Sequence, residues 1–412
     1  RGQVSHRVLA GTVPSVTAAC LTTNEFWWRR RQGFCRDIPN IDVEDTDELT
    51  TAMTSRERWV AALHLQPADR FPFWPKIDRA YLKAQAAPFT AMSVAEFHAW
   101  LGSDPHLWTP TLVHEMRATT RVETAREGLF QKTTYHTPLG HVAGIQQYNP
   151  ATRTWRNTAY PIHSHDGLAI MTAFYEDARP KLDRAAFEKT KEFCATVAQT
   201  AVTATYVGMT PFLELVQGML DPQRAAELLT TYPQDVGVLL EAMHQVMVKR
   251  MDYCCAQSPA DVLYLIENTA ATPLPPPIYR TFCLPHLRVY AEMARQAGRL
   301  LVLLISGQVK ALLPDLRGLS FSALEAFTTP PVGDATLAEG RAACPNTCLI
   351  GGANAPLWTR PMLEIIVGLD EQFDALPHLR GIVITSGGVI TPDADPHKLR
   401  EVAEWVRAYP MK

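Results

Sequence analysis

Eight residues stand where their types and spacing could do chemistry. Glu267 closes an apolar run over residues 261–266 and is followed by Asn268. A carboxylate in such a place is costly unless it is paired or working. Glu267 is therefore read as catalytic, against the plainer role of an anchor that accepts neighbouring loop N–H groups. Lys76, Asp78 and Arg79 follow the proline-punctuated run 70–75. Their place at the end of a strand favours a site, with Asp78 as the second catalytic carboxylate; a local ion pair explains them equally well. Lys76, Arg79 and Asn268 are read as substrate-binding. Ser306 and Gln308 follow the run 301–305, and Glu325 lies inside the run 323–327. These three complete the binding set, although Ser306 and Gln308 could only fill space and Glu325 could face a covering helix.

The elements that must position these residues alternate regularly. In 299–333, RLLVLLISGQVKALLPDLRGLSFSALEAFTTPPVG, two short apolar runs flank a helical segment. That is the rhythm of a strand, a crossover helix and a parallel strand. Similar runs at 71–74, 107–113, 201–207, 261–266, 347–350 and 381–385 bring the count to eight, mostly separated by helices. Eight such units predict an α/β fold, a (β/α)8 TIM barrel with chemistry at the C-terminal ends of its strands. Alternation over 119–133 and 141–148 about the turn Thr137-Pro138-Leu139-Gly140 predicts a hairpin excursion, and further helical segments lie outside the repeating units. No glycine-rich phosphate-binding loop follows any strand, so a nucleotide fold gains no support.

The chain falls into an N-terminal extension, 1–52, and a barrel domain, 53–412. The first part mixes Trp27-Trp28 with Arg29-Arg30-Arg31 and turns acidic at 42–48, without helical or strand periodicity. It is read as a disordered tail or as sequence ahead of a true start at Met53, where Thr54 or Ser55 can cap a helix with Glu57 in its first turn. Net charge of -3 and 20% charged residues give no pull toward nucleic acid, and no apolar run is long enough to span a bilayer. The eight cysteines are scattered. Cys254-Cys255 and Cys344-x-x-x-Cys348 lack companion ligands and are read as structural thiols of a cytoplasmic protein. His163 and His165 have no third ligand in view, and His286 is read as a packing residue.

Longer motifs carry a resemblance. SRERWVAALHLQPADRFPFWP, HTPLGHV, SPADVLYLIENTAATPLPPPIYRTFCLPHLRVYAEMARQAG and KALLPDL…ALEAFTTPPVGDATLAE resemble the uroporphyrinogen decarboxylase family, from about Met53 to the C-terminus. The IENT and EAFTTPPVGD wording is closer to its corrinoid-linked methyltransferase branch. The resemblance implies a (β/α)8 barrel acting on a tetrapyrrole or on a corrinoid-linked small molecule. It admits a corrinoid protein and a second copy of the chain, as a homodimer, as partners. In the methyltransferase branch a His-x-Cys-Gly strand end and a later Cys hold zinc that activates a thiol. Here those positions are Leu304, Ser306, Gly307 and, near the later site, Val389, so zinc–thiolate chemistry is not expected and no cofactor is assigned. The decarboxylase branch binds substrate carboxylates through an arginine-rich segment. Here only Arg79, helped by Lys76, matches it, while Val216 and Gly388 replace an expected tyrosine and histidine. The family therefore implies a divergent enzyme, a decarboxylase or a methyltransferase. A corrinoid-dependent methyltransferase with substitute ligands and a non-catalytic ligand-binding barrel are the alternatives.

Overall fold

The computed structural model describes residues 52–150, 154–268 and 274–411. The expected extension over 1–52 lies outside them, Ala52 aside. The first helix, Ser55–Leu63, begins as its sequence predicts: Thr54 accepts from the Glu57 N–H, and Glu57 accepts from the Thr54 N–H. Strand β1 (Phe73–Lys76) and β2 (His106–Trp108) follow. The expected strand over 107–113 is divided. Pro110 has no N–H for a ladder, and the chain leaves the barrel there as β3 (Val113–Met116).

From β3 the chain makes the excursion, which is larger than one hairpin. Strands β4 (Arg121–Glu127), β5 (Phe130–Thr137), β6 (Gly140–Asn149) and β7 (Thr154–Ala159) form an antiparallel sheet. The run read as one strand over 119–133 contains a turn at Gly128-Leu129, where Gly128 takes φ +56°, a backbone conformation that glycine tolerates best. Helix His165–Glu176 packs on this sheet, with Phe174 edge-on to Tyr135 at 5.0 Å. The chain returns through β8 (Arg179–Leu182), which pairs antiparallel with β3 to form a neck.

The remaining strands are β9 (Val202–Gly208), β10 (Val262–Ile266), β11 (Leu300–Leu304), β12 (Ala323–Phe327), β13 (Cys348–Gly351) and β14 (Ile382–Val389). All eight barrel strands run parallel, in the order β1-β14-β13-β12-β11-β10-β9-β2. This is the predicted (β/α)8 barrel, closed by ladders everywhere except between β1 and β2. There Asp104 bridges the seam: its N–H donates to Phe73 O at 2.7 Å, and its carboxylate accepts from the Phe73 N–H at 3.0 Å. The first helix plugs the N-terminal end, burying Trp59, Ala62 and Leu63 against inner residues Val202, Val262, Val302 and Val383. Among the described residues no helix is long and apolar enough to cross a membrane.

Candidate active site in the barrel mouth

Side-chain alternation decides which strand-end residues face the barrel's interior. On β10, Val262 and Tyr264 belong to the inner cluster, and Leu263 and Leu265 to the outer one. The ladder runs one residue further, the Glu267 N–H donating to Leu304 O at 2.8 Å. Glu267 therefore continues the outer row and Asn268 the inner row. By the same parity Ser306 extends the inner row of β11, and Glu325 shares the inner face of β12 with Ala323.

Glu325 is 1% exposed, and the Lys76 ammonium forms an ion pair with its Oε1. No N–H or O–H among the described residues otherwise donates to that carboxylate. The Lys76 ammonium lies 5.2 Å from the centre of the Trp74 ring. Nearby, the Tyr264 hydroxyl, the Thr385 hydroxyl and both ring nitrogens of His106 are buried with no hydrogen-bond partner among the described residues. His106 is wedged among Trp74, Trp108 and Tyr264, with ring centroids 4.5, 4.9 and 5.0 Å away. Burial, reinforced by Lys76, pushes His106 down to about 3, so its imidazole is neutral. Burial and the Glu325 carboxylate hold the Tyr264 phenol well above its ordinary range. Trp108, 44% exposed, and Tyr206 form the open aromatic side of the mouth. An orphaned buried polar group costs about 1–3 kcal/mol, so several in one lumen call for an explanation.

At the rim, the Ser306 Oγ donates to Asn268 Oδ1 at 2.6 Å. Gln308 lies beyond the turn at Gly307 with its side chain exposed. Asp78 and Arg79 stand apart from Lys76. Both are exposed; Asp78 caps the helix Arg79–Ala84 through the Tyr81 N–H at 2.7 Å, and Arg79 donates to Met92 O at 2.9 Å. Lys76 alone of the three reaches the lumen.

Glu267 is fully buried between the ends of β9 and β10, accepting from both the N–H and the hydroxyl of Thr210, the latter at 2.9 Å. Burial raises its carboxyl to about 8 against the Thr210 hydrogen bonds. The folded protein thus holds this proton more tightly than the unfolded chain, whose value is near 4.5. Stability from this group is fully present below the unfolded value and is lost as pH rises through the folded one. Replacing Glu267 by glutamine should flatten the stability profile between those limits by about 1.4 kcal/mol per pH unit, the effect of one proton. Urea titrations at several pH values check this; parallel profiles for wild type and variant would disprove it.

His106, Tyr264, Trp108 and Tyr206 escape a reading that searches only strand ends. The signal was present in the alternation, since His106-x-Trp108 puts two large side chains on one face and Tyr264 continues the row of Val262. The two cysteine groups are buried, and burial lifts Cys254 and Cys348 to about 12 and Cys255 and Cys344 to about 11. The positions that the resemblance aligns with zinc ligands offer few donor atoms. Leu304 and Val389 have no donor atoms on their side chains, Gly307 has no side chain, and the Ser306 hydroxyl serves Asn268. Among the described residues no three His, Cys, Asp or Glu side chains are grouped to hold a metal ion.

Fold and mouth define a (β/α)8 barrel protein with a polar lumen at the C-terminal ends of its strands. Residues 184–409 match the uroporphyrinogen decarboxylase (URO-D) family, over half of the chain. The chain belongs to that family. A methyltransferase from Methanosarcina mazei shares the fold at 15% identity and TM-score 0.54, covering 86% of this chain and 98% of its own. A putative vitamin-B12 independent methionine synthase from Listeria monocytogenes matches at 11% identity and TM-score 0.34, covering 53% of this chain and 68% of its own. No curated protein sequence matches the chain.

Proposed function

We propose that the chain is a divergent enzyme of the uroporphyrinogen decarboxylase family that binds a small carboxylate-bearing substrate, a tetrapyrrole or a corrinoid-linked molecule, in the barrel mouth. The observation that carries this reading is the pair of half-buried Lys76 and buried Glu325 among the groups of Tyr264, Thr385 and His106 that have no partner among the described residues. A substrate carboxylate can replace Glu325 at the ammonium of Lys76, a charge-assisted contact strengthened by the dry surroundings. The displaced Glu325 carboxylate is then a base, and the neutral Tyr264 phenol a proton donor, within the same lumen. Asn268 and Ser306 bind at the rim. Asp78, Arg79, Gln308 and Glu267 serve the surrounding loops. Zinc–thiolate activation is not part of this reading. The six free thiols among the described residues fit a cytoplasmic setting, and a corrinoid protein and a homodimeric partner are compatible with it.

The test compares wild type with Glu325→Gln in two assays, carbon dioxide release from uroporphyrinogen and methyl exchange between a methylated corrinoid and a thiol. The variant should lose at least about a hundredfold in whichever activity the wild type shows, the usual scale for a proton-transfer residue. Equal rates for the two proteins would overturn the assignment of Glu325. Tight binding of these compounds without turnover would favour the binding-barrel alternative.

A further inference from the structure

The excursion sheet is tied to the barrel mouth by a chain of amides. Gln131, Gln146 and Asn157 are register partners across β5, β6 and β7 and so share one face of the sheet. Gln146 Nε2 donates to Asn157 Oδ1 at 3.0 Å, and Asn157 Nδ2 donates to Gln217 O at 2.9 Å. Gln217 in turn sends its own Nε2 to Asn268 O at 3.0 Å. It sits in a π-helical turn, Leu215–Met219, a local widening of the helix that often accompanies function. The excursion's return loop is joined to the same turn, the Ile162 N–H donating to Met219 O at 2.9 Å and the Asp221 N–H to Ile162 O at 2.9 Å. At the end of the chain stands Asn268, whose backbone is held by Gln217 and whose Oδ1 is taken by Ser306. Its Nδ2 is the amide's other end, and among the described residues no hydrogen bond is made from it.

We propose that the excursion is the specificity wall of the mouth. Gln217 and Asn157 act as positioning residues, fixing Asn268 so that its Nδ2 donates to an acceptor oxygen of the ligand, a carbonyl or a carboxylate, while the ligand's anionic end meets Lys76. This rests on the proposed placement of the ligand in the mouth. It adds that recognition is split between the barrel and the excursion, and that the second contact demands an acceptor.

Asn268→Asp isolates the donor. A carboxylate at 268 still accepts from the Ser306 hydroxyl, so the local structure is kept, but it has no N–H to offer. The probe is a porphyrin carboxylate, coproporphyrin, followed by fluorescence titration of the full chain, with melting temperature as the control on folding. Asn268→Asp should weaken binding at least tenfold, and Gln217→Met, which keeps the side chain's length, about threefold to tenfold, both without a change in melting temperature. The fully esterified porphyrin, which keeps its carbonyl oxygens, should lose its dependence on Lys76 and keep its dependence on Asn268. Unchanged binding by Asn268→Asp, with binding lost in Lys76→Met, would overturn the specificity wall and leave the mouth as the ligand site. No binding by wild type, or binding indifferent to Lys76, would overturn both.

Discussion

Replacement of Asp104 by alanine is expected to lower the unfolding free energy by about 3–5 kcal/mol, the range for breaking a buried ion pair by removing one partner. Asp104 is fully buried beneath the barrel seam. The Arg58 guanidinium pairs with its Oδ1 and the Arg70 guanidinium with its Oδ2, the latter at 2.6 Å. The Ser55 hydroxyl donates to the same carboxylate at 2.9 Å, and the Trp59 indole N–H donates to the Asp104 carbonyl at 2.9 Å. One side chain therefore joins the first helix, the loop before β1 and the start of β2. Alanine would leave Arg58 with Asp69 alone, at 2.7 Å, and would remove the carboxylate half of the hydrogen-bonded bridge between β1 and β2. Asparagine, which keeps the shape and the acceptor oxygen, should fall between alanine and wild type. Urea unfolding followed by tryptophan fluorescence measures the difference. A loss below about 1 kcal/mol, the scale of an exposed pair, would show that the seam is held by other contacts.

The second large effect concerns Lys76. Lys76→Met keeps the apolar stem against Trp74 but removes the charge, leaving the Glu325 carboxylate buried with no counter-ion in the described structure. A destabilisation of about 3–5 kcal/mol is expected from the single replacement. The double variant Lys76→Met, Glu325→Leu removes both charges and should recover most of that loss, because a buried ion pair is often no better for stability than apolar residues of similar volume. Activity and carboxylate binding should be absent from both variants. The pattern of lost stability, regained stability and function lost throughout separates a working pair from a structural one. A double variant that still bound carboxylates would move the ligand site elsewhere.

The sequence made the barrel legible because apolar runs, turn residues and helix caps agree from one unit to the next. Runs such as 301–305 and 323–327 are short, apolar and punctuated by polar ends, and the capping pattern of Thr54 and Glu57 is local chemistry that needs no tertiary knowledge. The divided run at 107–113 could have been foreseen from Pro110, and the extra turn of the excursion from Gly128. The site was less legible because a residue's place in sequence does not give its facing. Glu267 and Asn268 are neighbours, yet one turns to the outer layer and the other to the mouth. Lys76 and Asp78 are two apart, yet only the first stays in the strand. His106 and Tyr264 read as core because they are core; what distinguishes them is the absence of a partner for their polar atoms, which depends on strands far apart in the chain.

The neck of the excursion has a consequence of its own. Val113 and Leu182 are register partners, so the chain leaves the barrel and re-enters it at almost the same point. The entropy of closing a loop grows only slowly with its length, so closing the barrel depends little on how many residues lie between those two. A domain built this way can change what it recognises by exchanging a cassette, while the ladders and the buried charges that keep it folded pass unaltered from one version to the next.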